Sequence, residues 1–227
     1  MIKALFYNPM FGISLTFISY QISMRLANRF RSPLLNPIAL ASFMCIIFLV
    51  VTKIPLEAYR IGGDFLLMLI FPATICIAVS VYRQLHLLKK HFVTILVGCT
   101  VGAATSIASV LLLSHLFGLD EIIKISLVPK SVTSAIALEL SSLIGGEVSL
   151  TIFAVMVTGT TGVITIPLFF KYFKIKDPII QGLSLGTSSH VIGTAKALEY
   201  GPIQGGMSGI AIFVTGLVTV LLSILIF

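Results

Sequence analysis

Two stretches of this chain hold side chains that could do chemistry. One reads SLVPKSVTSAIALELSSLIGG (126–146) and places Lys130 directly after Pro129, with Ser131, Thr133 and Ser134 behind it. The other runs from Gln181 to Gly209 and holds seven glycines, the hydroxyls of Ser188, Ser189 and Thr194, one histidine (His190), one lysine (Lys196) and one glutamate (Glu199). A lysine at the opening of a helix sits beside the positive end of the backbone dipole, and the two together favour an anion. Hydroxyls can donate to carboxylate oxygens, and an imidazole changes charge near physiological pH, which suits proton coupling. Lys130, Ser131, Thr133, Ser188, Ser189, His190, Thr194 and Lys196 are therefore the candidate substrate-binding residues, with His190 and Glu139 the candidate proton carriers.

Each of these residues has a plainer reading. Lys130 could snorkel to an interface, and His190 could be a hydrogen-bonded structural histidine. The hydroxyls of 131–134 could satisfy backbone groups freed at a helix break. Lys196 shares a helix face with Ser189 and Gly193, yet it also stands three residues before Glu199 and could pair with it. Glu139 could carry a proton or act as a structural partner for Lys130 or Lys196, and the residues alone leave that open. The pattern holds no Ser-His-Asp set, phosphate loop or nucleotide fingerprint, so an enzyme is not expected and neither is a cofactor. His86, His91, His115 and His190 have no ligand spacing with cysteines or acids, so no metal is expected.

The elements that must position these groups are membrane helices. The 227 residues are 57% hydrophobic and only 10% charged, with a mean hydropathy of +1.11. A soluble domain carries roughly 25% charged residues. The apolar runs are long and lack the alternation of barrel strands. The reading is an all-α, polytopic helical membrane protein, one domain over 1–227, with about six spans and two broken or re-entrant elements. The net charge of +7 falls at segment ends and implies no nucleic acid. Cys45, Cys76 and Cys99 lie inside apolar runs and read as packing residues. No cleaved signal peptide is expected, and the lipid bilayer is the first partner.

Spans are expected near 11–24, 37–51, 64–82, 92–117, 150–170 and 207–227, the second opened by Asn36-Pro37. Pro72, Pro129, Gly186 and Gly193 are the expected helix breaks. The apparent helix 129–144 is about 24 Å long at 1.5 Å per residue, short of a ~30 Å hydrocarbon core. If 120–146 and 178–200 each return to the side they entered, nine basic residues (25, 29, 31, 83, 89, 90, 171, 174, 176) share one side, against four (Lys3, Lys53, Arg60, Lys124) on the other. If both cross fully, the split is six against seven, so charge bias favours the re-entrant arrangement. The two elements also resemble each other: SLVPKSVTSAIALEL and SLGTSSHVIGTAKALEY both open with Ser-Leu, pass a hydroxyl-rich turn and close with Ala-Leu-Glu. That suggests an inverted repeat, an arrangement in which transporters place a substrate site between half-helix N-termini.

LLNPIALA (34–41), PATICIAVSVY (72–82), the 126–146 block, TIFAVMVTGTTG (151–162) and GLSLGTSSHVIGTAKALEYGPIQGGMSGIAI (182–212) resemble the LrgB/CidB family of bacterial membrane proteins. The resemblance spans nearly the whole chain, and the PKSVT and SSHVIGTAKALE blocks are its most specific parts. Two positions depart from the family pattern: Phe71 stands for a glycine and Ser80 for a proline. The resemblance implies a multi-pass protein of the bacterial cytoplasmic (inner) membrane. It implies one of two roles. The first is transport of a small organic monocarboxylate such as pyruvate or glycolate, with proton coupling as an option, as in the related plastidial glycolate/glycerate transporter. The second is antiholin-like control of murein hydrolase activity and cell lysis. Either role implies a small LrgA/CidA-type membrane partner, and a homo-oligomer is compatible with both.

Overall fold

A computed structural model describes residues 6–30, 37–83 and 85–227. Lys3, Arg31 and Asn36, and the side chains of Phe71 and Ser80, lie outside the described set. The described elements are all helical: α1 (Pro9–Phe30), α2 (Pro37–Thr52), α3 (Leu56–Leu67), α4 (Ile70–Arg83), α5 (Leu85–Lys90), α6 (Phe92–Leu116), α7 (Glu121–Leu127), a 3-10 turn (Val128–Ser131), α8 (Ser134–Ile144), α9 (Val148–Tyr172), α10 (Pro178–Tyr200) and α11 (Pro202–Ile226). Among the described residues, α6, α9 and α11 are the helices long and apolar enough to cross a membrane, each 25 residues long. The chain divides into two compact units, 1–76 and 77–227, with the boundary inside α4.

In the first unit α1 packs on α2 and on α3. Gly12 and Gly62 face each other so closely that a Cβ on either would strike the other's backbone. Thr16 Oγ1 lies 3.0 Å from the Tyr59 hydroxyl across the same seam. Pro72 does not interrupt a continuous helix. The chain breaks earlier, at Met68-Leu69, and Pro72 falls in the first turn of α4, where a missing N–H removes no intrahelical bond.

The second unit carries both polar stretches, and each folds as a hairpin. The contacts of α10 with α11 establish the second one. Gly182 abuts Gln204 and Gly186 abuts Ser208, a parallel register, whereas Thr194 Oγ1 meets Ser208 Oγ at 2.8 Å and Leu198 covers Gly205, an antiparallel one. The chain therefore reverses within α10, and both arms have their outer ends at the start of α11. The reversal is at His190, whose φ of 42° and ψ of −132° are not helical. The expected breaks at Gly186 and Gly193 are thus replaced by one between them. Gly193 keeps helical geometry and lets the return arm lie against the Leu185 carbonyl, while Gly186 does the same for the Ser208 carbonyl.

The first hairpin enters through α7 and the 3-10 turn, passes an extended Val132, and returns through α8. Ile144 at the end of α8 packs back near Leu127 and Val128. The base is tied by Glu147 N–H donating to Ser126 Oγ (2.7 Å) and by Thr151 Oγ1, which donates to the Ser126 carbonyl (2.8 Å) and lies 2.6 Å from Ser141 Oγ. Pro129 sits in the 3-10 turn, and the α-helix begins only at Ser134, capped by Thr133, whose Oγ1 accepts the Ile136 N–H at 3.4 Å. Lys130 is therefore part of the entering arm and does not open α8, as the apparent helix 129–144 had implied. The physical reason is that the residues after Pro129 satisfy the i→i+3 pattern and then extend before α8 can start.

Candidate functional site

The two hairpins reach α9 from opposite ends. The first is anchored at Thr151 and its Val132 and Ala137 cluster with Val155. The second is anchored where Leu185 and Ala197 pack with Phe170 and Ile166, and Ser189 and His190 lie against Gly162 and Gly159. His190 Nε2 lies 3.0 Å from the Val155 carbonyl oxygen. A carbonyl only accepts, so Nε2 carries the hydrogen and donates, leaving Nδ1 as the nitrogen able to take a further proton. Both tips therefore converge on Val155, in the first third of α9.

They also meet α6 at consecutive turns. Gly102 seats Thr187 of the second hairpin, and Cys99 Sγ lies 3.6 Å from Thr187 Oγ1. One turn on, Ser106 meets the first hairpin: Lys130 Nζ donates to its Oγ at 3.1 Å and to its carbonyl at 3.4 Å, and Ser131 Oγ lies 2.7 Å from Ser106 Oγ. Lys130 is half-buried and Ser131 buried. The ion pairs among the described residues are Lys124–Glu121 and Lys196–Glu199, so Lys130 has only neutral oxygens as partners. A half-buried cation held this way has no counter-charge among the described residues.

The remaining candidates take other positions. Ser188 Oγ donates back to the Ser184 carbonyl at 2.6 Å and lies 3.4 Å from Ser189 Oγ. Thr194 is buried, bonds the His190 carbonyl at 3.3 Å and pins the return arm to Ser208. Lys196 is not beside Lys130 or His190: it pairs with Glu199 at 2.5 Å and its Nζ lies 5.8 Å from the Tyr200 ring centroid, near the hairpin's outer end. The i,i+3 spacing makes that pair local. Glu139 is exposed on α8, whose buried face is Ala137, Leu140 and Ser141, so it partners neither lysine. Sequence reasoning missed Ser106, Val155, Gly159, Gly162 and Ser208. A signal existed in GCTVGAATSIAS and VTGTTG, where hydroxyls and glycines recur at helical spacing, but nothing local says which hairpin they receive.

Long apolar helices around two opposed hairpins, with polar tips sunk between them, define an all-α polytopic membrane protein. The chain belongs to the LrgB-like family, whose model matches residues 16–227. It is 37% identical over 199 residues to the Bacillus subtilis protein named "Uncharacterized protein YxaC", covering 88% of this chain and 86% of that one. It is 37% identical over 213 residues, 93% of each chain, to proteins named "Antiholin-like protein LrgB" from Bacillus mycoides and Bacillus cereus. No solved structure matches the chain.

Proposed function

We propose that the junction of the two hairpin tips binds a small organic monocarboxylate, of the pyruvate or glycolate kind, and that the protein carries it across the bacterial cytoplasmic membrane. The observation that supports this most directly is Lys130, a cation whose partners at 3.1 and 3.4 Å are the neutral oxygens of Ser106. An incoming carboxylate would accept from Lys130 Nζ and from the hydroxyls of Ser106 and Ser131. His190, held by Val155, can take a proton at Nδ1 and so couple uptake to pH. The opposed entry of the hairpins is what an inverted repeat requires, and such repeats bracket substrate sites in transporters.

The second reading is an antiholin-like regulator of murein hydrolase activity and lysis. It is favoured by the printed names of relatives 37% identical over 93% of the chain. Both readings accommodate an LrgA/CidA-type membrane partner, for which the exposed carboxylate of Glu139 on apolar α8 is a candidate contact. Uptake of radiolabelled pyruvate, glycolate and lactate into proteoliposomes, with and without the partner, tests the transport reading. Saturable uptake lost in Lys130→Ala supports it. Uptake equal to empty liposomes under both conditions overturns it and leaves the regulator.

A further inference from the structure

Three hydroxyls on α11, Thr215, Thr219 and Ser223, are buried with no hydrogen-bond partner among the described residues, each 2% exposed or less. Serine and threonine inside a helix normally donate to the carbonyl four residues back, and these do not. They recur at four-residue spacing and so form one row, with about 6 Å between neighbours. Ser208, which holds the second hairpin through Thr194, continues the same face.

The row has two defined ends. Helices α6 and α11 run parallel: Cys99 Sγ reaches the Ala211 carbonyl at 3.9 Å, and Leu222 packs against the cluster of Ile107, Val110 and Val128. This register sets Thr215 and Thr219 on either side of the level of Ser106, to which Lys130 is bonded. At the other end, Ser223 lies one turn below Phe227, which lines a cavity of about 540 Å³ together with Ser114, His115 and Glu121. Val128 of the first hairpin packs between the row's neighbours on α6 and α11.

In a permanently dry seam each unpaired hydroxyl carries a desolvation cost. Valine fills nearly the same volume as threonine without an unpaired polar group. We infer that the Thr215–Thr219–Ser223 row lines an access path from the cavity to Lys130, which this conformation holds shut. When the seam between α11, α6 and the first hairpin opens, water enters and the row gains its partners, so a small hydrated carboxylate can pass. The inference takes the Lys130 site from the proposed function and adds how that site is reached.

The test uses silver ion, a thiol reagent of about the size of water, on the full-length protein in liposomes with Cys45, Cys76 and Cys99 replaced by alanine. Thr215→Cys, Thr219→Cys and Ser223→Cys are introduced singly, each a near-isosteric change, with Leu217→Cys on the exposed apolar face of α11 as reference. Silver protection against a maleimide added after denaturation is the readout. Protection is expected at all three row positions, fastest at 223, and not at 217. Adding Thr219→Val to Ser223→Cys removes one unpartnered hydroxyl from the shut state and should slow silver reaction by about tenfold or more, through a smaller open population. Row cysteines no faster than Leu217→Cys, or a rate that Thr219→Val leaves unchanged, overturns the inference. No transported substrate enters the measurement, so its failure is distinct from failure of the transport reading.

Discussion

His190 donates to the carbonyl of Val155 at 3.0 Å, and the side chain of the same Val155 packs on Val132 and Ala137. One residue of α9 thus fastens the tip of one hairpin and receives the tip of the other. A shift of either hairpin along α9 would therefore disturb the seat of its counterpart.

The hairpins fix which ends of the second unit share a side. Lys89, Lys90, Lys171, Lys174 and Lys176 lie at the end where α6 and α11 begin, whereas Lys124 lies at the end where they finish. The positive-inside rule predicts that the first group faces the cytoplasm. Single cysteines at Lys90 and Lys174 should be labelled by a membrane-impermeant maleimide only after cells are opened, and one at Lys124 in intact cells. Labelling of 90 and 174 from different sides would mean that the first hairpin, α7 to α8, crosses the membrane.

His190 adopts a backbone conformation that glycine favours, at a cost of order 1–3 kcal/mol for another residue. Its replacement separates side chain from backbone. His190→Ala keeps the strain and loses the Val155 bond, whereas His190→Gly loses the bond and relieves the strain. The glycine variant should be more stable than the alanine variant by about 1 kcal/mol, read as a higher melting temperature in detergent. Both should flatten the pH dependence of uptake between about pH 5 and 8 if the imidazole carries the coupled proton. An unaltered profile in both variants assigns His190 to fastening alone.

Gly159 and Gly162 are the sockets for the second tip. A Cβ at 159 would strike the His190 ring, and one at 162 would strike Ser189 Oγ. Gly159→Ala and Gly162→Ala should each lower stability by about 1–3 kcal/mol through overpacking, despite alanine's better helix propensity. Gly63→Ala is the contrast, since its nearest neighbour is Tyr59 Cε1 at 3.7 Å, and it should be neutral or stabilising. Equal melting temperatures for all three would show that the tip has room to give.

How much of this was legible beforehand follows from what is local. The two polar stretches, the interruption at Pro129 and the Lys196–Glu199 spacing depend on neighbours in sequence, and reading them required no fold. The reversal at His190 is different. No propensity assigns a turn to histidine, and Gly186 and Gly193 looked like the breakers because glycine serves close approach as well as chain reversal. Which role each plays depends on Ser208 and Leu185, contacts made only in the folded chain. Lys130 was legible as a cation out of place, but its partner Ser106 is 24 residues away on α6. Likewise, a proline marks a region of breakage better than a residue: at Pro72 the helix had already ended at Leu67.

The two lysines of the polar stretches should behave in opposite ways. Lys130 is half-buried and bonded to neutral oxygens, so a bound carboxylate gains a charge-assisted hydrogen bond from it. Losing such a bond costs about 1.5–3 kcal/mol, so Lys130→Ala should weaken substrate affinity roughly ten- to hundredfold. Lys130→Arg restores the charge but brings a planar fork where Ser106 receives a compact ammonium, so it should recover affinity only in part. Lys196 is paired with Glu199 at the outer end of its hairpin, and exposed pairs contribute little. Lys196→Ala should therefore leave affinity within about twofold. Binding of pyruvate and glycolate to purified variants by calorimetry, with expression and melting temperature recorded for each, separates a binding role from a folding one. A Lys130→Ala protein that folds and binds like the parent removes the carboxylate from this site, and a large loss in Lys196→Ala alone would move it to the hairpin's outer end.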